Sequence, residues 1–311
     1  RHSVSIEHRP EGRGVFVERR DQLVEVVGGR RADRQCNPAV LISLQPVAVL
    51  VGAGEQRAEH VVAGGTTSKR SETEIEQIID RFGGATNAFT SSHLTGYYID
   101  CPAKDVMTAI DLIADSMQHV VFEPSEYERE LQVVQRELED GEVSRSRVKW
   151  KLLQQTVYTE HPARHPTIGY LDVLRDTPKE DLIDFYRERY VPNNQVFVVV
   201  GDVDTEKVIE AVAKSYTGTP RGRETFISLP NEPEQVSPRE AFREMDGATF
   251  DLVLAWPTVQ LSHSDLYALD VAAYKLAAFA LGTALAGLDR KSGSAGMPRP
   301  AAYLVCRLLL E

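Results

Sequence analysis

The sequence has 311 residues, 42% of them hydrophobic and 26% charged, which is the composition of a soluble globular protein with a sizeable core. The formal net charge of −11 argues against nucleic acid as a partner, because phosphate binding needs a basic face. The apolar runs are too short or too polar to cross a bilayer, so no membrane span is predicted.

Three cysteines (Cys36, Cys101 and Cys306) are too few and too scattered for a disulfide framework or a cysteine zinc site. The compartment therefore stays unknown. The chain begins at Arg1 without a charged and then apolar leader, so we expect any targeting signal to be absent or removed.

The first 58 residues are atypical, because they contain many arginines and no lysine. Apolar runs at 14–17 and 39–51 nevertheless predict strands there. The bias in composition suggests the hypothesis that the reading frame of this segment is not the ancestral one.

Clearer signals begin at Thr66. Ser71 and Glu74 form a capping box ahead of an apolar helical stripe that ends at Gly83 and Gly84. The further predicted elements are strands at 85–91 and 95–101, a helix with Val106, Ile110, Ile113 and Met117 on one face, a helix capped by Ser125 with Glu128, a helix with Pro178 at its first position, a strand at 196–200 and a helix ending near Ser215.

The domain organisation follows from the prolines of residues 221–240, which indicate a linker. Residues 1–220 are predicted to form an α+β domain. A strand at 250–256 and a helix at 265–280 begin a second domain over 241–311, and the chain stops before that domain could be complete.

Two glutamates lie on one side of the helix predicted from Ser125. Glu130 and Glu137 are seven residues apart, about 20° in helical angle, at the edge of a buried stripe. Such a pair could bind a cation. The alternative is a solvated charged face, since other glutamates crowd the same helix.

The sequence Glu59-His60, followed by Gly64-Gly65-Thr66, adds context to those glutamates. In the inverted zinc motif H-x-x-E-H, two histidines four apart bind zinc, the glutamate between them activates a zinc-bound water, and a distant glutamate completes the ligands. The order of Glu59, His60 and Glu137 matches the second half of this motif.

Taken together, the segments from Glu59 to about Asp204 resemble the pitrilysin/insulinase family, which includes mitochondrial processing peptidase. The resemblance also includes residues 83–90, 95–98, 161–169 and 185–202. It implies an α+β domain with a mixed, mainly antiparallel sheet packed by helices, and a partial second, non-catalytic copy of it.

The resemblance also implies the roles of single residues. Glu59 would be the general base, His60 and Glu137 zinc ligands, and Glu130 a carboxylate supporting them. The strand residues Asn87, Ala88, Phe89 and Thr90 would pair with an extended peptide. His93, His161 and His165 are alternative ligands, but they are better interpreted as loop or surface histidines.

One position departs from the family pattern. Gln56 stands where the first zinc histidine belongs, four residues before His60, and a neutral amide oxygen is a poor zinc ligand. The sequence therefore predicts weak or absent zinc binding.

Three interpretations follow from these observations. The first is a zinc metalloendopeptidase acting on peptides or unfolded polypeptides, impaired by Gln56. The second is an inactive peptidase-like subunit that binds peptides or a partner, alone or in a homo- or hetero-oligomer with another family subunit. The third is an unrelated α+β binding domain, which the ordered run of similar segments disfavours.

Overall fold

The computed structural model describes residues 52–92, 94–223, 229–247, 251–259 and 263–275, with side chains from Gln56 onward. It also describes the backbone of residues 5–8, 15–19, 22–28, 39–44 and 301–302. The chain divides into two compact units, residues 1–148 with 160–233, and residues 149–159 with 234–311. The segment predicted as a linker has no helix or strand at 221–223 and 229–240.

Helices and strands are interspersed along the chain. They are β1 (Ser5–His8), β2 (Val15–Arg19), β3 (Gln22–Gly28), β4 (Ala39–Leu44), α1 (Gly52–Val62), α2 (Glu72–Phe82), β5 (Ala85–Thr90), β6 (Thr95–Asp100), α3 (Val106–His119), α4 (Pro124–Val143), α5 (Arg145–Val157), α6 (Leu171–Asp176), α7 (Lys179–Arg189), β7 (Gln195–Gly201) and α8 (Thr205–Ser215). In the second unit, β8 (Asp251–Leu252) pairs in parallel with β9 (Ala301–Ala302), and residues 266–275 are helical.

Seven strands form one sheet in the order β1-β2-β3-β7-β4-β6-β5. The pair β3–β7 is parallel, and the other neighbouring pairs of this sheet are antiparallel. The predicted fold class, an α+β fold with a mixed and mainly antiparallel sheet, is confirmed. The atypical first 58 residues supply four of the seven strands, and β5 forms one edge of the sheet.

The main core lies between the sheet and its helices. Tyr97 and Ile99 of β6 and Phe197 and Val199 of β7 point to one face, as the two-residue period of a strand requires. Buried side chains from α1, α2, α3, α7 and α8 cover that face. In the described part of the chain, no helix is both long and apolar enough to cross a bilayer.

The predicted capping box is confirmed. The Ser71 side chain accepts a hydrogen bond from the Glu74 backbone, the Glu74 carboxylate accepts one from the Ser71 backbone, and α2 ends at Gly83 with a φ of 65°. A glycine fits there because this left-handed conformation is unfavourable for residues with a Cβ.

Other predicted element ends were wrong. Glu123 caps α4 in place of Ser125, because its carboxylate accepts from the backbone N–H groups of Ser125 and Glu126. Pro178 precedes α7 as its N-cap residue instead of opening the helix. The strand predicted at 250–256 is reduced to β8, and residues 253–259 have no regular structure.

Candidate metal centre

Helices α1 and α4 pack side by side and bring the predicted site residues together. Ala58, Val61 and Val62 are buried, which fixes α1 in the core. Gln56 and His60 are four residues apart and therefore share the face of α1 that is directed toward α4. On α4, Val134 and Leu138 are buried against Leu174 of α6, and this contact anchors the helix that carries both glutamates.

His60 lies between the two glutamates. Its Nδ1 is 3.4 Å from Glu130 Oε2, and its Nε2 is 3.7 Å from Glu137 Oε2. The Nε2 of Gln56 donates a hydrogen bond of 3.2 Å to the same Glu137 oxygen. The structure thus brings Gln56, His60, Glu130 and Glu137 together in one cluster. The sequence predicted His60 and Glu137 as metal ligands, Glu130 as their supporting carboxylate and Gln56 as the residue at the first ligand position.

Glu59 lies beside this cluster, close enough to interact electrostatically with His60 and Glu137, and it contacts the edge strand. It is buried, and its Oε2 accepts a hydrogen bond from the hydroxyl of Thr90. Burial raises the pKa of Glu59 above its ordinary value, although the Thr90 hydrogen bond and the nearby His60 lower that pKa in part. Thr90, predicted as a peptide-binding residue, therefore also contacts the predicted general base.

Both glutamates are also bound by arginines, which the sequence reasoning missed. Arg147 Nη2 lies 3.3 Å from Glu137 Oε1, and Arg147 Nη1 donates to the backbone carbonyl of Glu137 at 3.1 Å. Arg129 Nε donates to Glu130 Oε1 at 3.1 Å. Arg147 follows a helix break at Ser144, so no helical spacing connects it to Glu137.

These residues do not fit a three-ligand zinc site. His60 and Glu137 could both ligate a metal, but the amide of Gln56 directs its N–H group at Glu137, and an N–H group cannot ligate a metal. The other oxygen of Glu137 already faces a cation, Arg147. Among the residues that the structure describes, no three His, Cys, Asp or Glu side chains are grouped closely enough to hold a metal ion.

The turn after α1 is tied to the start of α4. Glu126 accepts hydrogen bonds from the backbone and the hydroxyl of Thr66, at 2.9 and 2.5 Å, and the same hydroxyl accepts from the backbone of Glu72. A Cβ at Gly65 would lie 2.1 Å from the carbonyl oxygen of Val61, so this turn requires glycine. The Gly-Thr turn thus fixes how α1 approaches α2 and α4.

The edge strand β5 carries the four predicted peptide-binding residues. The backbone N–H of Ala88 donates to the Asn87 side chain, so this N–H is directed away from β6. Because the direction of N–H groups alternates along a strand, Thr86 and Thr90 direct theirs to the same free side. The ring of Phe89 lies over Gly96 of β6, where a Cβ would be only 2.5 Å from the ring.

The alternative histidine ligands make local contacts. His161 Nδ1 accepts from the backbone of Ala163, and His165 lies 3.0 Å from the hydroxyl of Tyr170. His93 lies outside the described residues.

Comparison with known proteins matches most of the chain. The insulinase family (peptidase family M16) matches residues 58–170, and the peptidase M16 inactive domain matches residues 177–292. A Helicobacter pylori protein named zinc protease PqqE is 30% identical over 209 residues, which are 66% of this chain and 47% of that protein. The mitochondrial-processing peptidase subunit beta of Neurospora crassa is 30% identical over 162 residues, which are 52% of this chain and 34% of that subunit.

Solved structures show the same fold. The crystal structure of a protease from Helicobacter pylori superposes with a TM-score of 0.66 at 22% identity, over 88% of this chain and 65% of that one. Pitrilysin superposes with a TM-score of 0.62 at 18% identity, over 75% of this chain and 26% of that one. These likenesses define a metallopeptidase-type fold.

The chain belongs to the insulinase family, peptidase family M16. It spans about a third to a half of the length of the curated relatives named above.

Proposed function

We propose that this chain is a metalloendopeptidase-type protein that binds extended peptides along β5 and is impaired in hydrolysing them. The observation that carries the proposal is the hydrogen bond from Gln56 to Glu137, in which an amide N–H group takes the place of a third metal ligand. Only His60 and Glu137 remain as good ligands, and we expect zinc affinity to fall by more than about 100-fold, since even changes beyond the ligands cost roughly 10–100-fold.

Peptide binding does not depend on that ligand. A peptide that adds to β5 pairs with the backbone, and the N–H of Ala88 is directed to the free side of the strand. The proposed ligands are extended segments of peptides or unfolded polypeptides, because backbone pairing accepts many sequences. A homo- or hetero-oligomer with another family subunit is part of the proposal, supported by the relative named as a subunit.

The metal part of the proposal is tested by elemental analysis of purified proteins. We expect little zinc in the wild type, near-stoichiometric zinc in Gln56→His, and loss of that zinc when Glu137→Gln is added. Zinc in the wild type at one equivalent, removed by Glu137→Gln alone, would overturn the proposal, as would chelator-sensitive peptide cleavage by the wild type at a rate matching Gln56→His.

The peptide part is tested with a fluorescent unstructured peptide in the presence of a chelator. Ala88→Pro removes an N–H group from the free side of β5, and we expect at least a tenfold loss of affinity, on the order of 1.4 kcal/mol. Ala103→Pro is the matched control, since Ala103 is exposed at the first position of a short 3-10 turn, where proline is tolerated. Equal binding by the two variants would exclude the β5 edge.

A further inference from the structure

The surroundings of Glu137 differ from those of a carboxylate that awaits a metal ion. Oε2 accepts from Gln56, Oε1 faces Arg147, and the backbone carbonyl accepts from Arg147 as well. A single guanidinium thus holds two oxygens of the same residue, which is the geometry that favours arginine over lysine. Each acceptor of Glu137 that the structure describes has a donor from the protein.

The charge of this arrangement matters as much as its geometry. The guanidinium of Arg147 places a positive charge beside Glu137. A divalent cation that binds the carboxylate must displace Arg147 or share the carboxylate with it, and like charges a few ångströms apart repel each other. Arg147 is half exposed, at 52%, which leaves its side chain room to move but keeps the cation near the centre.

We propose that Gln56 and Arg147 together replace a metal ion at Glu137, so that this chain regains a metal centre of full affinity only when Gln56 becomes histidine and the charge of Arg147 is removed. This inference rests on the proposed function, because it assumes that Gln56 removes the third metal ligand. It goes further by assigning to Arg147, which no sequence motif marks, the role of an internal competitor of the metal.

A further consequence is that the cluster around Glu137 needs no metal ion for its stability. The contacts of Glu137 connect α1, α4 and α5 within a few ångströms, and they are present with protein donors alone. Thermal unfolding of the wild type is therefore expected to be unchanged by a strong chelator. Arg147→Gln is expected to lower the melting temperature more than Arg175→Gln does.

The test compares four proteins, the wild type, Gln56→His, Gln56→His with Arg147→Gln, and Gln56→His with Arg175→Gln. Arg175 is the matched control because it pairs at 3.9 Å with Glu139, two residues from Glu137 on the same helix, and its loss changes the net charge equally. The dissociation constant of Zn²⁺ is measured by competition with a chelating dye, and folding is checked by circular dichroism.

We expect Zn²⁺ to bind the Arg147→Gln double variant at least roughly tenfold more tightly than Gln56→His alone, because the half-exposed Arg147 repels a nearby cation through a medium whose dielectric constant approaches that of water. The Arg175→Gln double variant should stay within about twofold, as well-separated charges are screened. Equal affinities in the two double variants would overturn the inference. The zinc content of the wild type reports separately on the proposed function, so the two failures are distinguishable.

Discussion

The β5 edge and the cluster between α1 and α4 lie in the same compact unit, but they depend on the sequence in different ways. The edge offers backbone groups, which almost any residue provides. The cluster offers side chains, and one amide at position 56 changes what Glu137 is bound to. A binding surface made of backbone thus tolerates substitution, whereas a metal centre can be lost through a single residue.

The largest loss of stability is expected from Leu174→Ala, which removes a side chain packed under the cluster. Leu174 is 1% exposed and packs against Val134 and Leu138 of α4, so its truncation leaves a cavity under the helix that carries the glutamates. We expect the free energy of unfolding to fall by about 3 kcal/mol, measured by urea denaturation. Peptide affinity at β5 should persist under native conditions, and a parallel loss of it would show that edge and cluster are not separable.

A smaller effect is expected from Thr66→Val, which removes the hydroxyl that joins Glu126 and the backbone of Glu72. The half-buried carboxylate then loses a donor, and we expect a cost of about 1–2 kcal/mol in thermal or chemical unfolding. Thr73→Val, at an exposed position of α2, is the control and should change little. A similar cost for both variants would show that the effect does not come from the bridge between Glu126 and Glu72.

Ser71→Ala tests the helix that leads into the edge strand, with an expected cost of about 1 kcal/mol. The carboxylate of Glu74 accepts hydrogen bonds from the backbone and from the hydroxyl of Ser71. These bonds, that from the backbone more than that from the hydroxyl, lower the pKa of Glu74 below its ordinary value of 4.5. A lowered folded-state pKa adds stability above the unfolded-state value, and this stability is lost as the pH falls through the folded-state pKa. The difference in the free energy of unfolding between the wild type and Glu74→Gln, measured by urea titration, should therefore become smaller below about pH 4. A difference that does not change with pH would contradict this role of the Glu74 carboxylate.

The smallest change in stability is expected from Gly96→Ala on β6, the strand next to the edge strand β5. The added Cβ meets the ring of Phe89, which is 42% exposed and can turn away. The strain is offset by the lower entropy of the unfolded chain, so the net change should stay within about 1 kcal/mol. The free energy of peptide binding should change more than the free energy of unfolding, because the ring of Phe89 lies on the proposed binding strand. Unchanged binding would mean that Phe89 does not contribute to it.

Elements with local signals were predicted well. The capping box of Ser71 and Glu74 marked α2, and the apolar run before Gly201 marked β7. The start of α4 was misplaced because Ser125 and Glu123 both have capping side chains, and only the structure shows which one accepts the backbone hydrogen bonds. The cluster of His60, Glu130 and Glu137 was anticipated through the family resemblance, but its chemical fit to zinc had to be judged from Gln56.

The contacts of Arg147 could not be predicted, for a physical reason. Helical spacing relates residues only within a continuous helix, and the backbone turns at Ser144 between Glu137 and Arg147. Whether an exposed arginine reaches a carboxylate across such a turn depends on the direction in which the next helix leaves. That direction is set by tertiary packing and not by any local pattern.

The parallel pairing of β3 with β7 has a consequence for the order in which the molecule is made. Leu23 pairs with Val196, so the outer antiparallel strands β1 to β3 emerge from the ribosome long before the strand that joins them to the rest of the sheet. At about 5–20 residues per second, roughly 10–35 s pass between the two partners. During that time the backbone of β3 offers an unpaired edge, and protection by a chaperone or rapid completion of synthesis would determine the yield of folded protein.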